Sequence, residues 1–121
     1  RTRSRTNTSL QSLAFFNETQ RVEASRKLAE RLLREKNDDK HRIDFLFQIL
    51  ASRKPSQIEH DALAGLLDSA KRRFSNSQES ADSLLSIGLA KLDSSLDSRD
   101  IAAWTQVSST VLASDPVILL Y

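Results

Sequence analysis

Apolar positions along this chain recur at three- and four-residue spacing, the signature of helices with one buried face. The first set, Leu10, Leu13 and Ala14, predicts a short helix over residues 8–16, capped by Asn7 or Thr8. Residues 17–19 break it with capping chemistry and open a longer helix to about residue 36. There Leu28 and Leu32 stack one turn apart, beside Val22, Ala29 and Leu33. Glu23–Lys27 and Glu30–Arg34 mark its exposed side as favourable acid-before-base pairs.

After the turn at Asn37, Asp38 and Asp39, the next helix runs to about residue 53. Ile43, Leu46, Phe47, Leu50 and Ala51 fill the one-face template completely. Phe45 and Ile49 fall on the opposite side, so this helix is expected to be central, with siblings on one face and another surface on the other.

Pro55 ends that helix, and Ser56 with Glu59 forms a capping box that begins another. Its buried side is expected at Ile58, Ala62, Leu66, Ala70 and Phe74, with Leu63 and Leu67 adjacent. Acids near its start and Lys71, Arg72 and Arg73 at its end suit the helix dipole. Residues 75–80 read as a polar connection. A fifth helix follows over residues 80–87, with Gly88 available as a left-handed cap. Residues 89–97 read as irregular, with Leu92 and Leu96 tucked inward. Asp97 or Ser98 then caps a sixth helix whose stripe is Ile101, Trp104, Thr105, Ser108, Val111 and Leu112, stopped at Asp115-Pro116. The apolar tail at residues 117–121 is expected to dock on the core or on sequence outside this chain.

The fold expected is therefore an all-α bundle of about six helices in a single domain spanning residues 1–121. Composition agrees: two glycines and two prolines in 121 residues leave few of the turn signals that β-proteins use. Hydrophobic and charged fractions of 39% and 28% are those of a globular chain. No apolar run is long enough to span a bilayer, and no secretory leader pattern stands at the start. The lack of methionine suggests a piece cut from a longer protein.

Charge alters this picture only locally. The net charge is +2, so no global field draws the chain to nucleic acid, and none is expected as a partner. Residues 1–42 nevertheless carry eleven basic and six acidic side chains, and the remainder seven and ten. Arg1, Arg3 and Arg5 could contact phosphate, but no aromatic residue interleaves them and no nucleic-acid-binding motif follows.

Candidate chemistry is sparse. Zero cysteine excludes disulfides, thiolate metal sites, covalent haem attachment and cysteine nucleophiles within this chain. His41 and His60 stand near helix starts without metal-ligand spacing, and they read as capping or solvent-facing groups. Most aspartates fall where helices begin, so caps account for them. The serines lack a nucleophile-elbow motif, and there is no phosphate-binding glycine loop. No catalytic, cofactor-binding or metal residue is assigned. Trp104 lies on an apolar stripe and is read as core.

Three blocks together carry a family resemblance. "RTNTSLQSLAFFNETQRVEASRKLAERLL" (residues 5–33), "RIDFLFQILASRKPSQIE" (residues 42–59) and "DSRDIAAWTQVSSTVLASDPVILLY" (residues 97–121) resemble, in order and spacing, the PSD family. This is a planctomycete-specific domain of unknown function. Ser9 stands where the family usually has proline, Ser52 where it commonly has glycine, and Ala113-Ser114 where it has Leu-Asn. The resemblance implies the C-terminal portion of a larger domain in an exported protein, at the periplasm or cell surface. It also implies a cytochrome-c-like, haem-binding region far upstream. It carries no catalytic residues.

The expected function is a non-catalytic structural or protein-interaction module, partnered by upstream domains of its own protein or by another protein. The alternative is an accessory part of an enzyme or electron-transfer protein whose active site lies upstream. In that case Arg5, Asn7 or Arg53 would point into a shared cleft. Anion or nucleic-acid binding through the basic N-terminal end ranks third.

Overall fold

The computed structural model describes residues 18–86 and 93–113. Among these residues there are five helices: α1 (Glu18–Glu35), α2 (Asp39–Ala51), α3 (Gln57–Asn76), α4 (Gln78–Leu85) and α5 (Ser98–Ala113). The six-helix expectation is thus met by five here. The helix expected at residues 8–16, the Gly88 cap, Leu92, the stop at Asp115-Pro116 and the tail lie outside the described residues.

The caps follow the sequence. Asp38 caps α2 by accepting from the His41 backbone N–H at 2.8 Å. Ser56 and Glu59 form the reciprocal box at α3: the Glu59 N–H donates to Ser56 Oγ at 3.2 Å, and the Ser56 N–H donates to Glu59 Oε1 at 2.8 Å. Asp97 accepts from the Arg99 N–H at 2.8 Å to begin α5. The connection expected at residues 75–80 shrinks to one residue. Ser77 ends α3 and also caps α4, its Oγ accepting from the Ser80 N–H at 3.1 Å.

Centrality falls to α5, where α2 was expected. α5 packs against α1, α3 and α4, whereas α2 packs against α1 and α3 at the edge. The reason is volume and polarity. Ile101 to Thr105, Val107 and Ser108 are all buried, so small Ala102 and Ala103 let neighbours close in on every side. Trp104 is fully buried, as its stripe position predicts. Its Nε1 and the Thr105 and Ser108 hydroxyls have no hydrogen-bond partner among the described residues, a cost of about 1–3 kcal/mol each when dry. On α2 the second apolar side is covered by cations: Arg31 and Lys36 stand 5.1 and 4.9 Å from the Phe45 ring centroid.

The buried stripe of α3 is Leu63, Leu67, Ala70 and Phe74, with Leu66 partly buried. Ile58 and Ala62, expected inside, face outward. The observed stripe holds the larger side chains over three turns, and core burial follows volume.

One polar strip of α1 is also internal. Arg26 is buried and donates to the Leu85 carbonyl, the last of α4, at 2.6 Å. One turn on, buried Glu30 accepts from the Asp93 N–H at 2.7 Å, and Arg34 reaches the Asp93 carboxylate at 2.9 Å. The pair expected to decorate the surface therefore reaches across the fold. It clamps the chain just before α5, while Arg26 holds the end of α4.

Candidate functional site

Polar chemistry concentrates where α2 meets α3. The short turn through Pro55 sets these helices side by side, so the start of α2 meets the late turns of α3 and the end of α2 meets the start of α3. Asp39 receives Arg42 at 2.9 Å and also pairs with Lys71 from the far end of α3. Burial alone would push the Asp39 carboxyl up, but hydrogen bonds from Lys71 and Arg42 outweigh it and hold the group below its ordinary range. A cleft of about 280 Å³ opens here, walled by Asp39, Ile43, His60 and Lys71 among others. His60 Nε2 is buried without a hydrogen-bond partner among the described residues, 3.9 Å from Asp44 Oδ1. His41 takes the capping role, its Nδ1 lying 2.7 Å from Asp38 Oδ1. Among the described residues no three His, Asp or Glu side chains converge as a metal would require.

Arg53 bridges the same two helices. Its guanidinium meets Glu59 through two parallel bonds of 2.8 Å each and lies 5.2 Å from the Phe47 ring centroid. The fork, together with the Ser56 N–H, holds the Glu59 carboxyl down at about 2, and the same contact raises Arg53. Of the three residues considered for a shared cleft, Arg5 and Asn7 lie outside the described residues, and Arg53 is engaged in this ion pair.

The resolved carboxylate shifts share one direction. Asp38 is lowered by the His41 N–H and imidazole, Asp93 by Ser95 and then Arg34, and Asp39 and Glu59 as above. A carboxyl tuned as a general acid is pushed upward instead. All four carboxylates fasten helix starts and turns.

On the other side of α3 a large apolar side chain stands open to solvent. Ile58 in the first turn is 82% exposed, and Ala62 and Gly65 follow it on the same side, also exposed. A Cβ built on Gly65 would meet nothing within 4 Å among the described residues. Sequence reasoning assigned Ile58 and Ala62 to the core and so missed this face. A signal was present in the 4-3 spacing of Ile58, Ala62 and Gly65, one register away from the larger stripe.

The structure thus defines a helical module, built around a buried central helix, whose polar groups fasten its own elements. It is a PSD1 domain: the sequence profile of the family described as PSD1, protein of unknown function (DUF1553), matches residues 1–67, and the chain belongs to that family. The match takes in the first two of the three resembling blocks and stops within α3, short of the third. No curated protein and no solved structure matches the chain.

Proposed function

We propose that this chain is a non-catalytic structural and protein-interaction module of a large exported bacterial protein, in which the outward face of α3 meets a neighbouring surface. The observation that carries this reading is Ile58, a large aliphatic side chain 82% exposed over the open strip of Ala62 and Gly65. An exposed isoleucine alone is ordinary. Here it is followed by a mid-helix glycine that costs about 1 kcal/mol relative to alanine and makes room for nothing inside the fold. Small residues beside one large apolar anchor are what a closely packed second surface requires. Export, and the cytochrome-c-like upstream region, rest on the resemblance to planctomycete proteins; the neighbour is then an upstream domain or a separate exported protein.

A photo-crosslinking amino acid at Ala62 of the intact parent protein tests this. The expected result is a cross-link to one defined segment, weakened about tenfold by Ile58→Lys, with helical content unchanged. Cross-linking no more defined than from exposed Ser75, on another side of the same helix, would overturn it.

A further inference from the structure

The cavity beside Phe45 carries an inference that deepens the interaction reading and rests on it. We propose that the outer face of α2 docks an acidic segment of a partner polypeptide, with one carboxylate side chain entering the cavity that Lys36, Phe45 and Lys54 line.

The cavity measures about 210 Å³ and is lined by Lys36, His41, Asp44, Phe45, Gln48 and Lys54. That is below the roughly 300–1,000 Å³ of sites that enclose small organic ligands, and it suits a single side chain. Phe45 supplies an apolar floor that is only partly buried. Of the neighbouring charges, Arg31 pairs with Glu35 at 3.0 Å, and His41 Nδ1 lies 2.7 Å from Asp38 Oδ1. Lys36 and Lys54 have no carboxylate partner among the described residues, and Lys36 Nζ rests 4.9 Å from the Phe45 ring centroid.

Both lysines are held by their backbones. The Lys36 carbonyl accepts from Arg42 Nε at 3.1 Å, and the Lys54 carbonyl accepts from Arg53, itself fixed on Glu59, at 3.1 Å. Both side chains therefore spring from fixed backbone points in the lining of one cavity. Two ammonium groups against the one Asp44 carboxylate leave a surplus of one positive charge, which one incoming carboxylate neutralises. A nucleic-acid backbone fits less well, because a surplus of one positive charge cannot neutralise a row of phosphates.

The test is fluorescence anisotropy of a labelled peptide of alternating Glu and Leu added to the full chain. The same peptide with Gln for Glu, and a single-stranded oligonucleotide, serve as comparisons. The expected result is binding of the Glu peptide that the Gln peptide lacks, weakened about tenfold by Lys36→Gln with Lys54→Gln and weakened by salt. Equal binding of the two peptides, indifference to the lysine changes, or preference for the oligonucleotide at this face would overturn the inference. The lysine changes lie on the α2 side and leave the cross-link from Ala62 untouched. Loss of peptide binding with that cross-link intact condemns this docking site alone; loss of the cross-link condemns the broader reading.

Discussion

Two pairs of small residues sit in mid-helix in this molecule and meet opposite surroundings. Ala102 and Ala103 of α5 are sealed within the core, where the lack of bulk lets α1, α3 and α4 crowd one helix. Ala62 and Gly65 of α3 are exposed, and a side chain at Gly65 would meet nothing among the described residues. The same side-chain economy is spent on internal packing in one helix and finds no use within the described fold in the other. The difference separates residues that hold this domain together from residues that become useful on contact with something else.

Breaking the inner side of the comparison has the largest expected effect. Trp104→Ala should remove about 3–5 kcal/mol, a large part of the 5–15 kcal/mol that holds a domain of this size together. Urea unfolding followed by circular dichroism measures it. In the parent chain Trp104 is the sole tryptophan, so its fluorescence reports the same transition. A loss below about 1 kcal/mol would mean that α5 is not the centre of the fold.

How much of this was legible in the sequence depends on whether local or distant physics decides an element. Caps are local: Asp38, Ser56 with Glu59 and Asp97 stand where their side-chain chemistry requires, so helix starts could be read directly. Trp104 could be placed because the stripe around it is unambiguous. Rank among helices is a distant property. The two apolar sides of α2 look central until Arg31 and Lys36, from outside that helix, are found over Phe45. Arg26, buried against the α4 terminus 59 positions away, has no local signature at all. The candidate site suffered for the same reason. Arg53 could be singled out, but its fork with Glu59 and the open face around Ile58 depend on how α2 and α3 settle together.

The outer side of the comparison is sharpened by a substitution expected to stabilise. Gly65→Ala places a methyl group in open space on an exposed helix and should gain about 0.5–1 kcal/mol in thermal or urea unfolding. If the proposed contact on α3 is made, the same change should weaken cross-linking from Ala62. A loss of stability would show that Gly65 is already covered within the chain.

A second gain is expected at the end of α2, where Ser52 adopts φ 58°, in the left-handed region. This is the position at which the resembling family commonly carries glycine, and the backbone supplies the reason: a Cβ is strained there and a hydrogen atom is not. Ser52→Gly should raise stability by about 0.5–1 kcal/mol, somewhat offset by the greater freedom of glycine in the unfolded chain. An unchanged unfolding midpoint would mean that the serine side chain compensates for its conformation.

The smallest expected effect lies at the junction of the two regions, where Arg53 and Glu59 tie α2 to the start of α3. The Glu59 carboxyl is held at about 2, below its ordinary 4.5, first by Arg53 and then by the Ser56 N–H. A carboxyl lowered in the folded state contributes stability that is complete above its unfolded value and is lost as the pH falls through the folded one. The window is therefore from about 4.5 down to about 2. Because the pair is open to solvent, the contribution is expected to be below about 1 kcal/mol. Comparing urea midpoints of the parent chain and Glu59→Gln across that window isolates it, since Asp38, Asp39 and Asp93 titrate in both proteins. The parent's advantage should shrink as the window is crossed and weaken in high salt. An advantage already gone at the top of the window would mean that Arg53 does not hold Glu59 in solution.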